Sequence, residues 1–534
     1  MSNDNIPMKP IASTRSASAF LLGNVQSQQA TLVPESDNIN NNIEYQGLSA
    51  ASTPSQFYGN GINSNYYSVN SDDFINDKQG QEKSNEQDII LTSLNSPEEE
   101  TTEEKKHFLD EDDPIDYPEG GLKAYLVILG CFFGLIPTFG ILNTMGVIET
   151  YIQQRQLVEL NSSTIGWIFS LFSFVNFSTC IFSGTYFDRR GCRALLIGGA
   201  LLHFAGLFGL ASSTKLWMFI VSFSLVCGAA NGMLMSPLVS VPSHYFKKKR
   251  GQFTAIATTG GSIGGIVFPI LLRKMFQLTS TSDEFYGFKW GIRTLAFLNI
   301  FLLTCSVLLV TERFHDESDK EKSFLQIYVL NAFDFKAFKN YNYLFCVIGT
   351  LFGEMCITCS LTYYGAYCTA VGISDSNAYL LIMLVNIMGI PGRWIPGYIS
   401  DLYGRFNVAI LTLLMLTLIT LVAWLPFGGD GLRVMYGVSI LYGFTSGSIF
   451  SLLPVCCGQI SKTEEFGRRY STMYFVVSFG TLVGIPISGA IIGPDKTYHG
   501  YQNFIIWTGI LAFASACCYF LSRAFCVGLK FCKF

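Results

Sequence analysis

Four ionisable side chains stand inside long apolar runs of this sequence: Glu149, His203, Glu354 and Arg393. Insertion scales put a charge at mid-bilayer at roughly 2.5–3.5 kcal/mol, so each needs a reason to be there. Arg393 is the most demanding, because its guanidinium stays charged at any physiological pH. It lies in "GIPGRWIPGY", between Pro391 and Pro396. Each proline lacks an N–H and frees a carbonyl one turn back. Two readings are open: Arg393 faces a cavity and binds substrate, or it is the structural ion-pair partner of Glu354. Judged from the span ends, the two differ in depth by roughly 8 Å at 1.5 Å per residue, within reach of two long side chains. His203 reads as a helix-packing residue or a proton relay, Glu354 as an ion-pair or proton site, and Glu149 as a wet residue near a span end.

A second chemistry-bearing pattern occurs twice. "GTYFDRRGCR" (184–193) and "GYISDLYGRF" (397–406) share Gly-x-x-x-Asp-x-x-Gly. Gly184 permits close packing, Asp188 is expected to cap the helix that follows, and Arg189 to pair across the molecule. With Gly397, Asp401 and Arg405 these residues form a candidate gate. Catalytic patterns are weak. "GGSIG" fits Gly-x-Ser-x-Gly, but that motif needs a strand-to-helix turn and His and Asp partners. No zinc-protease helix motif and no nucleotide-binding loop occurs, so the chain does not read as an enzyme and no cofactor or metal is expected. Cys356 and Cys359 form a C-x-x-C without a second pair and read as small core residues. No nucleic-acid partner is expected.

The elements that position these residues follow from hydropathy. Of 534 residues, 49% are hydrophobic and only 14% charged, where a soluble protein carries roughly a quarter charged residues. The chain therefore reads as an all-α membrane protein in contact with lipid. Twelve apolar runs are long enough to cross a hydrocarbon core of about 30 Å. They fall at 122–147, 163–185, 193–212, 216–239, 252–273, 291–311, 342–368, 376–400, 407–427, 433–456, 470–492 and 502–525. Residues 1–118 are polar and acidic and are expected to be a disordered tail. That tail would suit ubiquitination or trafficking machinery. The start, "MSNDNIPMKPIAS", lacks the basic-then-apolar pattern of a secretory signal. The remainder divides into six spans (119–311), a polar middle loop (312–341), and six spans with a short terminal segment (342–534). "GAANG" and "GFTSG", "YFKKKRGQFT" and "EEFGRRYST", and the two Asp motifs recur at an offset of about 213 to 220 residues. Several matches in order point to a duplicated six-helix unit. Gly-x-x-x-Gly pairs let helices approach closely. Lys and Arg cluster in the loops after spans two, four, six, eight and ten, which places both termini in the cytoplasm. Asn161, in Asn-Ser-Ser, then faces outside as a glycan acceptor.

The paired Asp motifs resemble those of the major facilitator superfamily over about residues 118–525. The resemblance implies two six-helix bundles rocking about a central site. "YPEGGLKAYLVILGCFFG" resembles the entry into the first helix of monocarboxylate porters. "STIGWIFSLF", "SPLVSVPSHYFKKKRG", "GGIVFPILLR" and "SLLPVCCGQISKTEEFGRRYSTMYFVV" are similar to the fungal branch of that family, and most to its plasma-membrane riboflavin carriers. Animal lactate carriers place a lysine in the first helix and an aspartate one turn before the helix-eight arginine. Here those places hold Leu142, Asn143 and Gly389. The resemblance thus implies plasma-membrane riboflavin uptake by alternating access, facilitated rather than proton-coupled. An organic-anion carrier using Arg393 as counter-charge is the alternative, and a non-transporting nutrient sensor the second. Candidate cavity residues beside Arg393 are Asn143, Asn231, Trp167, Trp394, Tyr363 and Tyr364. An aromatic and amide lining suits a flat heteroaromatic ring with imide carbonyls.

Overall fold

Residues that are apolar all round cannot satisfy their backbone in lipid except as helices. The computed structural model describes residues 117–160, 162–281, 283–314, 332–493, 497–530 and 532–534. Twelve helices there are long and apolar enough to cross a membrane. They are α1 (Leu122–Tyr151), α2 (Ser162–Arg190), α3 (Arg193–Ala211), α4 (Leu216–His244), α5 (Arg250–Phe276), α6 (Tyr286–Leu309), α7 (Tyr341–Ala370), α8 (Asp375–Tyr403), α9 (Arg405–Phe427), α10 (Leu432–Gln459), α11 (Phe466–Ile492) and α12 (Tyr498–Val527). The described residues all belong to the unit Asn85–Phe534.

Within the first six helices α1 lies along α5, α2 along α4 and α3 along α6; within the second, α7 lies along α12 and α8 along α10. Two further pairings join the halves, α2 with α11 and α5 with α8. Glycines make these approaches possible. A Cβ on Gly264 of α5 would overlap the Ile136 carbonyl of α1, and one on Gly443 of α10 would overlap the Val385 carbonyl of α8.

The expected disordered tail lies outside the described residues up to 116, as do Asn161 and the middle-loop residues 315–331. Tyr117 and Pro118, assigned to that tail from sequence, are placed. The Tyr117 hydroxyl meets Thr463 Oγ1 at 2.7 Å, which anchors the chain as it enters α1. At the same end, the Phe534 carbonyl accepts from the N–H groups of Phe406 and Asn407. The Phe534 ring stacks on Phe406 at 5.3 Å.

Candidate functional site

Arg393 sits at the junction of the two halves. It is only 2% exposed, and its guanidinium donates across the junction to the Thr258 carbonyl of α5. The Phe450 ring of α10 lies 5.0 Å from the guanidinium carbon and the Phe139 ring of α1 lies 5.8 Å from it. Cation–π contacts of this kind are worth about 0.5–2 kcal/mol, more where water is excluded. Four helices, two from each half, therefore hold one charge. The Arg393 Nε is enclosed with no acceptor among the described residues. Gly261 of α5 makes room: a Cβ there would overlap Phe139 and lie 3.1 Å from the guanidinium.

Glu354 of α7 is also buried, and Tyr474 of α11 donates to its carboxylate at 2.9 Å. Among the described residues no ion pair joins Glu354 to Arg393; the guanidinium turns to α5 instead.

The remaining predicted residues separate into groups. Asn143 of α1 donates its amide N–H to the Gly261 carbonyl at 3.2 Å, one turn from Arg393's contact with α5. Asn231 of α4 donates to the Thr138 carbonyl and to Asn176 Oδ1 at 3.2 and 3.1 Å, all within the first half. Tyr364 of α7 is fully buried, with its hydroxyl 2.6 Å from Ser439 Oγ and its ring against Trp424 at 5.2 Å. Tyr363 donates to the Ile485 carbonyl at 3.1 Å. Trp394 and Trp167 are about half exposed, and neither is gathered around Arg393. Trp394 belongs to a stripe of α8 with Ile395, Tyr398, Ile399 and Leu402, large side chains that all face outward. Adjacency to Arg393 in sequence turns it about 100° away around the helix.

His203 of α3 is enclosed between α4 and α6. Its Nδ1 lies 3.7 Å from Cys227 Sγ, and the Asn299 amide nitrogen lies 3.2 Å from its Nε2. Both ring nitrogens thus have partners on helices away from Arg393. Replacing His203 by alanine is expected to leave the Asn299 amide unpaired in the core and cost about 1–3 kcal/mol. The expected result is a lower melting temperature in detergent, with the uptake KM unchanged within twofold; a KM shift beyond that would contradict a packing role.

The duplicated motifs meet each other's halves. The Asp188 carboxylate at the end of α2 accepts from the N–H groups of Gly467 (2.9 Å) and Arg468 (2.6 Å), in the first turn of α11. The Asp401 carboxylate at the end of α8 accepts from Gly251 (2.9 Å) and Gln252 (2.8 Å), in the first turn of α5. Each aspartate therefore caps a helix of the opposite half, using the favourable field at a helix N-terminus. This corrects the expectation that Asp188 caps the helix after it: α3 starts at Arg193, with Cys192 at the N-cap and no side-chain cap. Gly184 and Gly397 are points of close approach. A Cβ on Gly184 would overlap Ser471 Oγ and the Gly467 carbonyl, and one on Gly397 would meet Ala255 Cβ. Arg405 lies 3.5 Å from Asp401 and donates to the Lys247 carbonyl. Arg189 is in the last turn of α2.

Sequence reasoning missed several participants. Arg250 of α5 donates to the Gly458 carbonyl of α10 at 2.7 Å, a further bridge between halves. The Glu119 carboxylate, at a residue with φ of 48°, accepts from the N–H groups of Lys247, Lys248 and Lys249. Asn386 of α8 lies seven residues before Arg393, and a Cβ on Gly265 of α5 would lie 2.5 Å from its Oδ1. Seven-residue spacing is nearly two helical turns, so Asn386, Arg393 and Ser400 share one face; that spacing is readable in the sequence.

Twelve membrane helices in two linked sixes, with crossed aspartate caps and a buried central arginine, define a two-half transporter. A family model for the Major Facilitator Superfamily matches residues 124–485. The chain belongs to the Major Facilitator Superfamily and is a multi-pass membrane protein, not an enzyme. It is 59% identical over 425 residues to the riboflavin transporter MCH5 of Saccharomyces cerevisiae, covering 78% of this chain and 81% of that one. It is 31% identical over 412 residues to MFS-type transporter 1 of an Ophiocordyceps species, covering 77% and 87%. The fold matches the human organic anion transporter MFSD10 with a TM-score of 0.57 at 14% identity, covering 75% of this chain and 99% of that one.

Proposed function

We propose that this chain carries riboflavin across the plasma membrane by alternating access of a central site built around Arg393. The observation that carries the reading is the 59% identity to a riboflavin transporter over four-fifths of that relative's length. The site chemistry fits it: a guanidinium supplies donors for ring carbonyls, and Phe139 and Phe450 offer aromatic faces. In this reading both termini are cytoplasmic, because the basic loops after the even-numbered helices lie at their end. The crossed Asp188 and Asp401 caps then close the cytoplasmic side, and the state described is one shut toward the cell. Domain limits at 119–311 and 342–534, glycosylation at Asn161 and tail-bound trafficking machinery belong to the same proposal.

An organic-anion carrier would use Arg393 as counter-charge. Uptake of labelled riboflavin, measured against labelled lactate in cells without carriers of their own, decides between them. Riboflavin uptake at least tenfold above background, with no gain for lactate, is expected. The reverse pattern would overturn the proposal.

Transport is expected to be facilitated. The places where lactate carriers hold a lysine and an aspartate are Asn143 or Leu142 and Gly389 here. A protonophore at constant ATP should leave initial uptake within about twofold of control. Loss of accumulation against a gradient would show coupling, with Glu354 as the residue to change next.

A further inference from the structure

We infer that Asn143 and Asn386 form a pair of hydrogen-bond acceptors that reads the donors of a neutral substrate. This rests on the flavin reading above and deepens it. The two asparagines come from opposite halves, on α1 and α8, and flank the same glycine. A Cβ on Gly265 would lie 2.5 Å from Asn386 Oδ1 and 3.0 Å from Asn143 Cβ. In each side chain the amide nitrogen is already committed. Asn143 Nδ2 donates to the Gly261 carbonyl and Asn386 Nδ2 to the Ile382 carbonyl, both at 3.2 Å.

Those contacts fix the orientation of both carboxamides. Turning either one over would set its oxygen against a carbonyl oxygen, so each Oδ1 points the other way. Neither oxygen accepts a hydrogen bond from a described residue; Asn386 is 8% exposed with its Oδ1 on the Gly265 side, and neither oxygen is completely enclosed. Asn231 differs in this respect: its Oδ1 is enclosed. Two unpaired acceptors in an apolar membrane interior call for donors, because unpaired polar groups are costly where water is scarce.

The face is shared with Arg393, about 10.5 Å along α8 at 1.5 Å per residue. The site therefore offers donors at one end and acceptors at the other. A small carboxylate could satisfy the guanidinium only, and its oxygens would repel the two carboxamide oxygens. A flavin carries ring carbonyls for the guanidinium and, away from them, the hydroxyls of its sugar alcohol chain as donors for the asparagines; its imide N–H lies between the ring carbonyls, at the guanidinium end. A site built to hydrogen-bond a donor rejects the analogue lacking it, since the site's own acceptors are left unpaired.

The test is competition against labelled riboflavin uptake by unlabelled riboflavin, N3-methylriboflavin and lumiflavin. The first analogue lacks the imide N–H and the second lacks the hydroxylated chain. The wild type is expected to prefer riboflavin at least tenfold over lumiflavin, and by a smaller factor over N3-methylriboflavin. Asn386→Ala removes the carboxamide, adds no bulk against Gly265 and favours the helix; it is expected to cut that preference to under threefold at normal surface level. Asn386→Ser keeps an acceptor oxygen and a proton to give to the Ile382 carbonyl, and is expected to retain part of the preference. Normal riboflavin uptake by Asn386→Ala with the wild-type preference intact overturns the inference and leaves the flavin reading standing. So does a wild type that transports riboflavin yet is indifferent to loss of the hydroxylated chain. Absence of riboflavin uptake in the wild type overturns both.

Discussion

Replacing Arg393 by lysine is expected to leave the protein at the cell surface and cut uptake at least tenfold, about 1.4 kcal/mol of binding. Lysine keeps the charge but loses the planar fork that can reach the Thr258 carbonyl and a substrate oxygen together. It also loses the flat face that lies against Phe139 and Phe450. The measurement is initial uptake normalised to surface-labelled protein. The companion experiment concerns Glu354. If the two residues are only mutual structural partners, Arg393→Ala should fail to accumulate, and adding Glu354→Ala should restore both expression and transport. The geometry argues otherwise, since the Glu354 carboxylate is held by Tyr474 and the guanidinium by α5. The double variant is expected to reach the surface and remain inactive; recovered uptake would remove Arg393 from the binding site.

The second large effect concerns the crossed caps. Changing Asp188 and Asp401 together to alanine orphans four helix N–H groups, those of Gly467, Arg468, Gly251 and Gln252. An N-cap lost to alanine costs about 0.5–2 kcal/mol, and two separated sites add. The described state should lose about 1–4 kcal/mol, a shift of roughly fivefold to several hundredfold in its population. A cysteine placed at Ser236, whose hydroxyl meets Ser471 at 3.0 Å between the halves, reports this shift in a background without native cysteines. Labelling by an impermeant maleimide from the termini side should speed up by that factor. Unchanged labelling in the double variant would mean that other contacts, such as Arg250 with Gly458, hold this side shut.

Much of the architecture is legible in hydropathy because lipid leaves so few options. Twelve spans are visible, and most ends fall within a few residues of the helices found. The two capping aspartates are legible because their motifs repeat at a fixed offset. Their partners are not: capping is a contact between a side chain and distant backbone N–H groups, which carry no residue signature. The facing of each helix is also hidden where apolar residues surround it. Trp394 shows this, named among the aromatic cavity candidates and found on the outward stripe. Asn386 shows the missed opportunity, since a polar residue two turns from a buried arginine shares its face. Phe139 and Phe450 could not be singled out among 45 phenylalanines.

The Glu119 contact breaks the equivalence of the two halves. The turn entering α5 gives the N–H groups of Lys247, Lys248 and Lys249 to Glu119, and those of Gly251 and Gln252 to Asp401. When the halves part, Asp401 departs with its own half while Glu119 travels with α5. The first turn of α11 receives Asp188 alone from across the junction, with no carboxylate of its own on those N–H groups. Both sides therefore keep anions of their own half as they open, but Asp334 and Glu465 pair with the side chains of Arg468 and Arg469, and only Glu119 sits on backbone N–H groups. A gene duplication that made two like closures has left one with a carboxylate of its own half on its backbone donors, so the two should yield in a fixed order, the α5 side first.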